Sequence, residues 1–96
     1  IAVALPALHV GLVFARSGLA TKQGIALANG VGVIDSDYRG EFIVALHNHG
    51  AQPQTVSPGE RIAQLVITPV LTPAYEEAQE LSDTQRAAGG FGSTGK

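Results

Sequence analysis

Four short stretches of the chain hold residues able to do chemistry. Arg16-Ser17-Gly18-Leu19 sets a guanidinium, a hydroxyl and an accessible backbone amide side by side. These are the makings of a phosphate cradle, although Arg-Ser-Gly also occurs in ordinary turns. Between Asn29 and Gly40 two carboxylates, Asp35 and Asp37, share one turn. They could bind a cation or act as a base, or simply serve the turn as Asx residues. Arg61-Ile62-Ala63-Gln64-Leu65 places a cation and an amide on an apolar run. Arg86 through Gly95 ends in Gly-Gly-Phe-Gly-Ser-Thr-Gly, a composition that suits a phosphate loop. The Gly-x-x-x-x-Gly-Lys-Ser/Thr spacing is missing and no strand or helix flanks it, which argues against a P-loop.

These groups need elements to hold them. His9 to Ala15 is a short apolar run, with β-branched residues and Gly11, and predicts a strand. Ile25 to Ala28 is a second brief run. Asn29-Gly30 then reads as a two-residue hairpin turn, with Val31 to Ile34 as the returning strand. Asp35 to Gly40 is a turn cluster. Glu41 to Asn48 alternates Phe42, Val44 and Leu46 with Ile43, Ala45 and His47, so both faces are largely apolar, as in a strand sandwiched between layers or subunits. Ser57-Pro58-Gly59-Glu60 predicts a type II turn, and Arg61 to Val70 a strand ending near Pro69. Leu71, Ala74, Tyr75, Ala78 and Leu81 recur at helical spacing, with Glu76, Glu77 and Glu80 to face solvent. The local pattern alone therefore predicts an amphipathic helix there. Six or so short strands, separated by turns, point to an all-β sandwich or barrel over residues 1–81. Residues 82–96 hold Phe91 as their one bulky apolar side chain and form a flexible tail.

Composition bounds the reading further. At 96 residues one domain is the ceiling, and a lone monomer would bury too little surface to be secure. There is no cysteine, which removes disulfides and thiolate zinc sites. Oligomerisation remains, or a core continued by further chain. The sequence opens without Met and without a basic leader and reads like a strand entered halfway, so residues are expected before Ile1. Six scattered Lys and Arg against eight acidic residues make a poor nucleic-acid binder. No apolar stretch is long enough to span a membrane; the expected location is cytoplasmic. His9, His47 and His49 lack nearby acidic partners, and His47 reads as an interface residue rather than a metal ligand.

Taken in order, the four stretches are far more specific. ARSGLA (Ala15 to Ala20), GVIDSDYRGE (Gly32 to Glu41), GERIAQLV (Gly59 to Val66) and GGFGSTG (Gly89 to Gly95) resemble the second to fifth motifs of the trimeric deoxyuridine triphosphatase family, across essentially the whole chain. The first of that family's five motifs is absent. Ala15 stands where Pro is common, and Ala87 where Gly usually follows the tail Arg. The resemblance implies a jelly-roll-like β-prism subunit in a homotrimer. Each site would take the second and fourth motifs from one subunit, the third from another and the tail from the last. It also implies that residues 71–81 are mainly extended and pack against other subunits, against the helical pattern. The implied reaction is dUTP plus water giving dUMP and pyrophosphate, by attack on the α-phosphorus. Mg2+ would be held by the triphosphate and water rather than by the protein. Such an enzyme lowers dUTP and supplies dUMP for thymidylate synthesis.

The same resemblance assigns roles. Asp35 would be the general base and contact the 3′-hydroxyl; a carboxylate is a modest base and must gain from alignment. Asp37 would anchor the turn. Tyr38 would lie under the deoxyribose and exclude a 2′-hydroxyl. Asn29, with backbone groups from Gly30 to Ile34 (Gly32 and Ile34 among them), would read the uracil edge and reject cytosine. Ser17 and Gly18 would hold phosphate oxygens, and Arg16 either a phosphate or an interface carboxylate. Gln64 would meet the α-phosphate or the nucleophilic water, or else bridge strands. Arg61 would form an interface ion pair. In the tail, Arg86 would meet the γ-phosphate, Phe91 would stack on uracil, and Gly92, Ser93 and Thr94 would offer amides and hydroxyls. Two rivals stand beside this reading. A deoxycytidine triphosphate deaminase on the same fold needs a carboxylic acid placed for deamination and would lack the Phe-Gly-Ser-Thr tail. A non-catalytic dUTP-binding regulatory module would need no base.

Overall fold

The computed structural model of the protein describes residues 1–95; Lys96, the last residue of the expected tail, lies outside them. In chain order the regular elements are β1 (His9–Ala15), α1 (Ser17–Gln23), β2 (Ile25–Leu27), β3 (Gly32–Ile34), β4 (Leu46–Asn48) and β5 (Ala63–Pro69). β1 is the centre of one antiparallel sheet, with β3 on one side and β5 on the other. It pairs with β5 along its whole length, from His9 opposite Pro69 to Ala15 opposite Ala63. It pairs with β3 from Gly11 opposite Ile34 to Val13 opposite Gly32. A second small sheet pairs β2 with β4, Ile25 opposite Asn48 and Leu27 opposite Leu46. The all-β expectation holds, with five strands in two sheets.

Two glycines let this ladder close. A Cβ on Gly11 would stand 3.1 Å from Ile34 Cβ and from Leu5 Cδ1, and 3.2 Å from Leu65 Cδ1; one on Gly32 would stand 3.0 Å from Val13 Cβ. Each is tighter than ordinary packing tolerates. The small positions of one strand therefore sit opposite the branched side chains of the other.

Three sequence expectations change. Residues 17–23, to which the sequence pattern assigned no element, form a short helix. Leu19, Ala20, Lys22 and Gln23 favour helix, Gly24 closes it at φ 72° with its N–H donating to Ala20 O and Leu19 O, and Lys22 sits in the last turn. Asn29-Gly30 is indeed a turn, with Gly30 N–H donating to Leu27 O at 3.1 Å. It is not a hairpin, because β2 and β3 join different sheets. Turn chemistry is local, whereas strand partners are chosen by the whole core. Of the strand expected over 41–48, only Leu46–Asn48 lies in a ladder. Residues 41–45 make isolated backbone contacts, Phe42 N–H to Ile1 O and Ala28 N–H to Ala45 O. Their side chains still alternate: Phe42, Val44 and Leu46 are half-buried while Ile43, Ala45 and His47 are exposed. The turn at Ser57–Glu60 is as expected, with Gly59 at φ 85° and Glu60 N–H donating to Ser57 O.

After β5 the chain holds no helix or strand through residue 95, so the helical pattern over 71–81 is not realised. Tyr75 is 99% exposed there and Ile43, on the outer face of 41–45, is 82% exposed. Leu5, Ile25 and Leu27 are the buried hydrophobic side chains among the described residues. The radius of gyration is 18.8 Å, the extents 54 × 40 × 17 Å and the accessible surface 8130 Å². A compact monomer of this size would have a radius near ~12.5 Å and about 5,200 Å² of surface. Among the described residues no helix is long and apolar enough to cross a membrane.

Candidate active site

β3 delivers Asp35 directly from its C-terminal end. The chain then turns back through Asp35–Tyr38, closed by the Tyr38 N–H donating to Asp35 O at 3.1 Å. The Asp35 carboxylate makes no hydrogen bond among the described residues and is exposed, so the backbone closes this turn without it. Asp37 is likewise exposed. Tyr38 is 41% exposed. Its hydroxyl donates to Glu41 O at 2.8 Å, and its ring stacks on Phe42 at a centroid distance of 6.4 Å. Asp35, Tyr38, Ile34 and Phe42 line one cleft. A second cleft is lined by Asn29, Gly32, Leu27 and Val44 and shares Val33, Ile34 and Ile43 with the first. The two adjoin as one surface through those shared residues, with Asn29 and Gly32 on one part and Asp35 and Tyr38 on the other.

A separate open cleft of about 280 Å³ is lined by Arg16, Ser17, Gly18 and Gln23 together with Glu60 and Arg61. The β1–β5 pairing makes this meeting, because Ala15 opposite Ala63 sets the flanking segments side by side. Glu60 and Gln23 were not among the residues picked from the sequence. The turn before Glu60 was readable, but its closeness to Arg16 is a property of the register. Gln64 lies on β5 and donates its amide to Ala15 O at 3.0 Å, which is the strand-bridging alternative. Its Oε1 and second N–H remain for other partners, and it lines an apolar cleft with Ile34 and Phe42.

The tail forms a third group. Arg86 Nε donates to Gly89 O at 2.8 Å, and Ser93 N–H donates to Gly90 O at 2.8 Å. Arg86, Ser93 and Thr94 line a cleft with Gln85. Phe91 is fully exposed, with Gly92 beside it at φ 81°. Ala87 sits at φ 50°, a left-handed conformation that costs a residue bearing a Cβ. The Arg16 cleft, the Asp35 surface and the tail cleft share no lining residue. One copy of the chain therefore does not gather all the groups into one site. Among the described residues no three His, Asp or Glu side chains cluster as a metal cage.

Known proteins fall in line with this geometry. The dUTPase family model matches residues 1–95. A deoxyuridine 5′-triphosphate nucleotidohydrolase of Desulfitobacterium hafniense (strain DSM 10664 / DCB-2) is 58% identical over 96 residues, covering 99% of this chain and 64% of that protein. One from Syntrophotalea carbinolica is 52% identical over 95 residues, covering 99% and 65%. The chain thus spans just under two thirds of the length of these relatives. Among solved structures, Staphylococcus bacteriophage 80alpha dUTPase with dUpNHpp matches with a TM-score of 0.83 at 30% identity, covering 99% of this chain and 72% of that one. A mutant dUTPase from phage phi11 of S. aureus, described as revealing the coordination of a structural Mg(II) ion, matches with a TM-score of 0.71 at 25% identity, covering 85% and 69%. On a match that runs from Ile1 to Gly95, the chain belongs to the dUTPase family.

Proposed function

We propose that the protein hydrolyses dUTP to dUMP and pyrophosphate, working as a homotrimer whose sites are shared between subunits. The observation that carries the reading is the continuous surface presenting Asn29, Gly32, Ile34, Asp35 and Tyr38. It carries an amide, a carboxylate free of hydrogen bonds and an aromatic ring, groups that suit a uracil edge, a water nucleophile and a sugar face. Asp35 aligns and deprotonates the water; its carboxylate is not spent on the turn. Tyr38 forms the sugar floor, and Asn29 with the backbone of Gly32 and Ile34 reads the uracil edge. Arg16, Ser17 and Gly18 hold phosphate, with Gln64 near the water or the α-phosphate. Arg86, Phe91, Gly92, Ser93 and Thr94 close over the nucleotide. The substrate is taken as the Mg2+ complex of dUTP, so the ion arrives on the triphosphate.

Two features support the trimer. The three groups lie apart on one chain. The surface in excess of a compact monomer is on the scale of an obligate interface, and Ile43, Leu71, Tyr75 and Leu81 are among the most exposed apolar side chains. In this reading residues 82–96 act as the active-site tail.

The test is pyrophosphate release by the full-length protein with dUTP, dCTP, dTTP and UTP. Turnover of dUTP should exceed that of each of the others by about a hundredfold or more; comparable turnover of UTP or dTTP would sink the reading, and release of ammonia from dCTP would move it to the deaminases. Ala87→Gly should also ease the left-handed turn beside Arg86 and lower KM for dUTP about two- to fivefold, with kcat little changed. An unchanged KM would separate that turn from substrate closure.

A further inference from the structure

Two residues with no role so far surround Tyr38. Arg39 folds back over the turn, its Nη1 donating to Ser36 O at 2.8 Å and to Tyr38 O at 3.1 Å. Gly40 lies against the phenol: a Cβ there would come within 2.6 Å of Tyr38 Cζ and 2.9 Å of Cε1. We propose that Arg39 and Gly40 are positioning residues that set the attitude of the Tyr38 ring and so determine discrimination between deoxyribonucleotide and ribonucleotide. The inference rests on the dUTP reading above and deepens it.

The ring is fixed from three directions. Arg39 clamps the carbonyls on either side of Asp37, which fixes the backbone from which Tyr38 springs. Glu41 O takes the hydroxyl. Gly40 leaves the space into which the ring folds. Both bonds leave one nitrogen, Nη1, whose two hydrogens are fixed in the plane of the guanidinium, whereas the hydrogens of an ammonium rotate on a looser stem. Gly40 is not at a positive φ, so an alanine there meets no backbone strain, and the ring itself is what must move. Rejection of a 2′-hydroxyl by shape depends on displacements of about 1 Å, within the range either change would allow.

The experiment measures kcat/KM for dUTP and UTP with full-length wild type, Arg39→Ala, Arg39→Lys and Gly40→Ala, alongside light scattering and thermal melts. Arg39→Ala and Gly40→Ala should each narrow the dUTP:UTP ratio about tenfold or more. Arg39→Lys should fall between, and added guanidinium ion should restore part of the ratio to Arg39→Ala but none to Gly40→Ala. If both alanine variants lose activity equally on the two nucleotides, the proposal is overturned. If Arg39→Ala fails to assemble, Gly40→Ala, which keeps the guanidinium, decides. A wild type that does not itself prefer dUTP overturns the underlying reading. A discriminating wild type with equally discriminating variants overturns only this inference.

Discussion

Asp35→Asn is expected to lower kcat for dUTP by about three orders of magnitude while leaving the dissociation constant within a few-fold of wild type. The size follows from general-base catalysis, worth roughly 10²–10⁴, lost almost whole because an amide cannot accept the proton. Binding survives because the amide keeps the shape and one acceptor oxygen. Folding survives because Tyr38 N–H closes the turn on the Asp35 carbonyl, which the substitution does not touch. Single-turnover pyrophosphate release, with calorimetric titration of the inactive variant, separates the two quantities. Near-normal turnover would remove Asp35 as the base; a weak kcat with equally weakened binding would make it a substrate ligand only.

Deleting residues 86–96 is expected to cost about two to three orders of magnitude in kcat/KM without dissociating the assembly. The deletion removes no side chain of the core: apart from half-buried Gly89, residues 86–95 are exposed. It does remove Arg86, the Phe91 ring and the amides and hydroxyls of Gly92, Ser93 and Thr94. Preorganised donors to a developing charge are worth about 10²–10³ each in favourable cases. Several would be lost together, with the proposed closure that excludes water. Light scattering and steady-state assay on the truncated protein check both halves. A truncated enzyme with full activity would free the tail of any catalytic role, and one that falls to monomers would recast it as an assembly arm.

How much of this was readable in the residues depends on what kind of information each element uses. β1 was readable to its ends, because a short apolar run bounded by polar residues is a local signal. So was the Ser57–Glu60 turn, since Pro and Gly fix its backbone by themselves. α1 escaped because seven residues are too few for helical periodicity to rise above chance; only Gly24 and the helix-favouring composition gave it away, and both are weak alone. The Asn29-Gly30 turn was found but its partners were not, since β2 pairs with β4 and β3 with β1 for reasons spread over the whole core. Alternation over 41–48 sorted the side chains into two faces but told neither which of them faces inward nor that residues 41–45 would lack a ladder. In the site, the motif residues stood out by type and order. That Glu60 lines the same cleft as Arg16, that Gln64 reaches Ala15 O, and that Arg39 clamps Ser36 and Tyr38 are matters of register and side-chain reach.

The opposition of Gly11 to Ile34 and of Gly32 to Val13 makes the β1–β3 ladder a ruler. A slip of one residue would turn β3 over, face for face. A slip of two would keep the faces, but it would set Val13 against Ile34 in one direction or Gly11 against Gly32 in the other, and carry Asp35 about 7 Å along β1. Gly11, which lines none of the clefts described above, thus helps to measure out the position of the Asp35 carboxylate. Variants at Gly11 would surface in an activity screen among the active-site mutants, and their defect would lie in a misplaced base rather than a missing one.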